Sequence, residues 1–180
     1  MDNRALTRAF RLAAQLLELH GENPFKIRAY EGTASALEAL SFPVADVERT
    51  GLPDRTGLSK TAAAKVAEML DTGSFEELDR LLATTPPGVV ELLKIKGIGP
   101  KKIRSLWKDL GIEDGAQLRT AAENDEVSKL KGFGQKTQQS ILDALDFTDQ
   151  SRGKLLYPQG EELAHELLAR LEAAPGTERA

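Results

Sequence analysis

The stretch GIGPKKIRSLWKDL, residues 97–110, sets a Gly-Ile-Gly crease against a run that spaces Leu106 and Leu110 one helical turn apart. The pattern occurs three times in the chain. Aligned from Gly57, Gly97 and Gly132, the segments GLSKTAAAKVAEML, GIGPKKIRSLWKDL and GFGQKTQQSILDAL superpose Val66, Leu106 and Ile141, then Leu70, Leu110 and Leu145. A repeat of this kind marks one structural unit used three times, each copy a glycine turn feeding a helix. In the second and third copies the apolar runs VVELLKI and VSKL also lead into the turn. Helix, Gly-apolar-Gly turn and helix make a tight antiparallel pair.

Outside the repeat, apolar residues again recur at helical spacing. Leu6, Phe10, Ala13 and Leu17 form one such stripe and Leu163, Leu167, Leu168 and Leu171 another, while no segment alternates as a strand would. LELHGENPF closes a first helix at Gly21 and opens a second, with Asn23 as its cap and Pro24 as its first residue. SFEE, at Ser74–Glu77, has the spacing of a capping box, and the helix it starts should run until TTPP stops it. Further helices are expected over about 87–95, 100–110, 115–122 and 135–146. The fold class these signals predict is all-α.

With 180 residues, 41% of them hydrophobic, the chain can bury a real core as one domain or two small ones. No apolar run approaches the roughly 18 residues of a membrane span. The start MDNRALTRAF lacks the order of a signal peptide, so a cytoplasmic location is expected. The absence of cysteine excludes disulfides and thiolate chemistry, and the two histidines, His20 and His165, are too far apart in sequence to suggest a histidine metal site. The net charge is −4, yet the windows 55–66, 94–108 and 127–139 contain no acid. The middle window alone holds Lys94, Lys96, Lys101, Lys102, Arg104 and Lys108, whereas acids gather in the tail at Glu161, Glu162, Glu166, Glu172 and Glu178.

These windows coincide with the glycine turns, and the chemistry of the turns gives the coincidence a meaning. The first glycine allows a backbone angle closed to other residues, and the apolar residue after it (Leu58, Ile98 or Phe133) can plug the crease between the helices. The second glycine (Gly99, Gly134) lets an outside group approach the unsatisfied amides that begin the next helix, where the helix dipole favours an anion. A DNA phosphate fits that description. Lys101 and Lys102 stand in the first turn of a helix, where cations are disfavoured by about 0.3 to 1 kcal/mol each, so an external negative charge is expected to compensate them. Lys136 holds the same place in the third copy and Lys60 lies one residue earlier in the first, where Ser59 replaces the second glycine. A solvated helix end is the structural alternative. Two neighbouring hairpins would grip about three to five phosphates without reading bases, with steep salt dependence. Trp107 and Phe133 are expected to pack, Trp107 in the core and Phe133 as the plug.

ENPFKIRAYEGTASALEAL, TGLSKTAAAKVAEML, PPGVVELLKIKGIGPKKIRSLWKDLGI and LKGFGQKTQQSIL together resemble the N-terminal half of the bacterial family X DNA polymerases, relatives of DNA polymerase beta. The resemblance implies a lyase-like helical domain with the first, degenerate hairpin over 1–84 and tandem hairpins forming a fingers-like domain over 85–150. It implies a C-terminal helix over 151–180 that leads toward a palm. The GS…DxD pattern of that palm is missing, and LEAAPGTERA resembles the run just before it, so neither polymerase nor phosphoesterase is expected in this chain. Two-metal phosphoryl transfer needs clustered carboxylates.

The resemblance also assigns roles. Lys65, eight residues after Gly57, matches the lysine that some members use as a Schiff-base nucleophile on 5′-deoxyribose phosphate; the other copies have Ser105 and Ser140 there. Ala62, Ala63, Ala64 and Ala67 leave room for a sugar beside it, and an ordinary surface lysine is the alternative. Lys26, Arg28 and Tyr30 are implied to face this lysine and hold the 5′ phosphate, with Phe25 stacking on a template base; Phe25 and Tyr30 could equally be core. Carbonyls of Leu93, Ile95 and Ile98 are implied to hold a monovalent cation, Na or K, with no other cofactor required. The expected partner is gapped, nicked or 5′-phosphorylated DNA, bound by a monomer with no membrane involved. An active lyase, or a hairpin module that docks proteins, are the alternatives.

Overall fold

Asp2 opens the first helix. Its carboxylate accepts from the Ala5 N–H at 2.7 Å, and the chain then runs as α1, Asn3–His20. Gly21 ends the helix in a left-handed conformation, and the Gly21 and Glu22 N–H groups donate back to the Glu18 and Leu17 carbonyls. Orphan carbonyls at the helix end are thereby satisfied. Asn23 caps α2, Pro24–Ala39, by accepting from the Phe25 N–H at 2.9 Å, with Pro24 first in the helix as expected. The structure, a computed structural model, describes residues 1–151, with side chains to 147. The chain continues through α3 (Leu52–Thr56), α4 (Lys60–Thr72), α5 (Glu76–Ala83), α6 (Pro87–Leu92), α7 (Pro100–Leu110), α8 (Gly115–Glu123) and α9 (Gln135–Ser151). No strand occurs among the described residues, and the fold is all-α. The stripe at Leu163–Leu171, the acidic tail and the expected C-terminal helix lie outside the described residues.

Two local expectations are corrected. The helix predicted over 87–95 is α-helical only to Leu92, after which Leu93, Lys94 and Ile95 bond three residues back and tighten the chain into the turn. The capping box at Ser74 does not form. Phe75 is the cap residue, and its buried ring shifts the helix start one position along the chain. The Ser74 hydroxyl donates to Asp79 instead, while Glu68 of α4 accepts from the Glu76 N–H at 2.8 Å and replaces the missing cap.

The N-terminal core follows the predicted stripe, with Leu6, Phe10, Ala13 and Leu17 all at most 1% exposed. Phe10 stacks on Phe75 with ring centroids 5.0 Å apart and meets Tyr30 at 5.8 Å. Each fully buried leucine or phenylalanine side chain among them contributes about 1.5 to 3 kcal/mol. α1 packs against α2 and α5 and also reaches α7, so it touches elements on both sides of the TTPP stretch. His20, at the end of α1, sits at that junction with its ring edge-on to Trp107 at 5.6 Å. The Thr85 hydroxyl donates to the Leu81 carbonyl, so its oxygen accepts from His20 Nε2–H at 2.8 Å. Burial, with Lys108, Arg80 and Arg104 nearby, lowers the His20 pKa and favours this neutral form. Residues Met1–Ala144 form one compact unit; a second begins at Leu145.

Candidate nucleic-acid interface

All three first glycines of the repeat adopt the left-handed region, with φ of 69° at Gly57, 91° at Gly97 and 86° at Gly132. A side chain there would strain the turn, which explains the residue. The plugs differ in depth: Leu58 and Ile98 are buried, but Phe133 is only half-buried, with the Lys102 ammonium 5.6 Å from its ring centroid. Trp107 packs in the core as expected.

The second glycine has no such conformational reason. Gly99 has φ −82° and ψ 167°, open to any residue, and a β-carbon on Gly99 or Gly134 would meet no atom within 4 Å. The fold therefore does not demand glycine at either place; what glycine preserves is access to the amides. Pro100 brings no N–H, and among the described residues the N–H groups of Gly99 and Lys101 reach no protein acceptor, nor do those of Gly134, Gln135 and Lys136. Such groups at a helix start form an anion-accepting surface. In the first copy Ser59 accepts from the Ala62 N–H with its own hydroxyl at 3.2 Å, so part of the equivalent surface is occupied by the protein itself.

The lysines predicted beside the turns are mostly uncommitted. Lys102, Lys136 and Lys60 have no carboxylate within 4 Å among the described residues, and Lys101, 85% exposed, meets Glu18 only at 3.7 Å. The second and third hairpins lie side by side, with Lys96, Lys102, Thr137 and Ser140 around a small crease between them.

The residues expected around the first hairpin are arranged differently. Lys26 donates to Glu77 at 2.9 Å, has Glu22 at 3.9 Å, and shares Glu77 with Arg80. Burial alone would raise the Glu77 pKa, but the hydrogen bonds from Lys26 and Arg80 outweigh it and hold the carboxyl below its usual range. Of the two readings open for the aromatics, the structure places Tyr30 in the core, 6% exposed, with its phenol pushed up to about 12 by burial and by Glu77. Tyr30 is thus not available as a surface contact for phosphate. Phe25 is the opposite case, 76% exposed with the Arg28 guanidinium 4.6 Å from its centroid. Lys65 is half-buried, its ammonium 5.6 Å from the Phe75 ring and 5.8 Å from the Tyr30 ring. Leu93, Ile95 and Ile98 lie on the turn between α6 and α7, where the Ile95 carbonyl already accepts from Ile98 N–H at a long 3.4 Å. Sequence reasoning missed Glu77 and Glu18, because the partners that give them a role are 51 and 83 residues away.

Paired helices joined by glycine creases, one isolated and two in tandem, define a helix-hairpin-helix protein. Residues 1–75 match the helix-hairpin-helix domain family, and residues 89–146 match the SAM-like helix-hairpin-helix tandem family. The chain is 35% identical over 145 residues, 81% of its length, to the DNA polymerase/3′-5′ exonuclease PolX of Bacillus subtilis, of which the match covers 25%. The resemblance to the N-terminal part of a family X polymerase is borne out by this match. Shorter similarities reach the Holliday junction branch migration complex subunit RuvA of Delftia acidovorans, at 40% identity over 29% of this chain and 27% of that subunit. A DNA ligase of Natranaerobius thermophilus is 33% identical over 46% of this chain and 12% of the ligase. The chain therefore spans about a quarter or less of each of these relatives. Among the described residues no helix is long and apolar enough to cross a membrane, and no group of three or more His, Cys, Asp or Glu could hold a metal ion.

Proposed function

We propose that the chain binds DNA through the tandem hairpins, gripping backbone phosphates without reading sequence, at gaps, nicks or 5′-phosphate ends during repair. One observation carries the reading: unpaired amides on creases that glycine keeps open, next to Lys102 and Lys136, which have no carboxylate within 4 Å among the described residues. The similarity to a DNA polymerase and a DNA ligase supports the choice of DNA as the anion. A single copy carries both hairpins, so the reading needs no second subunit. The carbonyls of Leu93, Ile95 and Ile98 are hard oxygen donors of the kind that a sodium or potassium ion takes, and one there would hold the second hairpin's turn in shape.

The test is titration of gapped duplex at several salt concentrations by wild type and Gly99→Val. Wild type should show a log–log salt slope of about −3 to −5, for three to five neutralised phosphates. Valine at 99 meets no protein atom near its β-carbon, so the fold should survive while affinity falls about tenfold through blocked access to the amides. Unchanged affinity in a folded Gly99→Val protein would defeat the reading.

A second reading, 5′-deoxyribose phosphate lyase activity at Lys65, is favoured by one feature. That nitrogen lies half-buried beside two aromatic rings with no carboxylate within 4 Å among the described residues, so no anion ties it up. Its nitrogen would attack the sugar aldehyde and lose water to form an imine. Borohydride should then trap the wild type on incised abasic DNA and fail to trap Lys65→Ala.

A further inference from the structure

The crease between the second and third hairpins has a volume of about 90 Å³. Its polar lining is Lys96, Gly97 and Lys102 from one hairpin and Thr137 and Ser140 from the other. No carboxylate lines it, and among the described residues neither lysine has one within 4 Å. Two ammonium groups on one small crease repel each other, and no ion pair within the protein offsets that repulsion. Lys102 is also held in place, half-buried with its nitrogen 5.6 Å from the centroid of the Phe133 ring. The hydrogen-bonding groups share the bias. The Thr137 hydroxyl has no partner, and the Gly97 N–H reaches no protein acceptor among the described residues. Ser140 donates to the Lys136 carbonyl at 2.9 Å, which leaves the donor role in the crease to Thr137.

These groups describe their ligand. Two ammoniums repel a cation, and free donors without free acids call for an anion rich in acceptors. The volume is well below the about 300 Å³ at which pockets for whole small molecules begin, so the crease takes one charged group and no base or sugar. Donors that converge from two hairpins suit a tetrahedral oxyanion better than a flat carboxylate. We propose that this crease is a phosphate site in its own right, with Lys96 and Lys102 supplying charge and the Thr137 hydroxyl a hydrogen bond. It is separate from the amide surfaces at Gly99 and Gly134, since neither glycine lines it. Because both hairpins build it, a phosphate there ties one to the other, which neither amide surface does alone. The group is a phosphodiester of the DNA backbone or free inorganic phosphate, and in the first case the proposal deepens the DNA-binding reading and rests on it.

Two titrations separate these sources. Amide chemical shifts of wild type, Thr137→Val and Lys96→Gln are followed as sodium phosphate is added, against sodium chloride at equal ionic strength. The same proteins and Gly99→Val are titrated with gapped duplex at several salt concentrations, after thermal melts show that each is folded. If the DNA backbone supplies the group, Lys96→Gln should lower duplex affinity about three- to tenfold and make the salt slope shallower by about 0.9, the loss of one phosphate contact. Thr137→Val should then lower affinity about two- to fivefold with the slope unchanged, as loss of a neutral donor does. If free phosphate is the ligand, saturable shifts at Gly97 and Thr137 should appear in wild type and vanish in both variants, with duplex affinity held within twofold. The proposal is overturned if both variants match wild type in duplex binding and in their response to phosphate. That result alongside a weakened Gly99→Val would leave the hairpin reading standing. Wild type that ignores duplex yet shows the phosphate shifts would defeat the hairpin reading and leave the crease.

Discussion

The first hairpin and the tandem pair are built from one sequence unit and end in different physical states. In the first, Ser59 stands where Gly99 and Gly134 stand in the others, and its hydroxyl caps α4. The nearby cation Lys26 is tied to Glu77, and the aromatic rings of Phe75 and Tyr30 close into the core. In the tandem pair the corresponding amides reach no protein acceptor, and Lys102 and Lys136 have no carboxylate within 4 Å among the described residues. The difference teaches that the left-handed glycine makes the turn, while the residue two positions later decides whether the turn serves the fold or an outside anion.

That comparison can be broken most easily by charge reversal. Lys101→Glu combined with Lys102→Glu should weaken binding to gapped DNA more than tenfold at about 0.1 M salt, while Lys60→Glu should change it less than threefold. Equal losses would erase the distinction between the hairpins. A smaller effect comes from exchanging the deciding residue. Gly99→Ser should raise stability by a few tenths of a kcal/mol, as a serine cap does over glycine, and lower DNA affinity several-fold; Ser59→Gly should do the reverse more weakly. Denaturant midpoints and binding curves on the same samples would show both.

The smallest expected effect concerns the neutralised side. Because the folded-state Glu77 carboxyl titrates below its usual value, its pairing with Lys26 and Arg80 stabilises the fold fully above the unfolded value. That contribution is lost as pH falls below about 5 and through the folded value. Urea midpoints of wild type should therefore drop more on acidification than those of Glu77→Gln. Parallel curves would mean that Lys26 is not held by Glu77 in solution, and it would rejoin the cations available to DNA.

Much of the fold was legible because its signals are short-range. Gly21, Asn23–Pro24 and the first glycines of the three repeat copies, Gly57, Gly97 and Gly132, act within a few residues of themselves, and the stripe at Leu6, Phe10, Ala13 and Leu17 needs only the helical period. Ser74 misled for the same reason: its capping box is locally sound, but the buried Phe75 ring overrode it from the tertiary side. The open creases were legible too, as acid-free windows around repeated glycines, since amide exposure at a turn is a local matter.

By itself, then, the sequence determined the helices, their turns and the threefold repeat, each of which depends on contacts within about one helical turn. Only the tertiary structure decided which cations stay available and which rings are covered. Lys26 meets Glu77 across 51 residues, Tyr30 sinks against Phe10 and Phe75, and Arg104 comes to rest on Gly21. Such pairings join residues far apart along the chain, and their energies depend on burial and distance that exist only once the helices have packed.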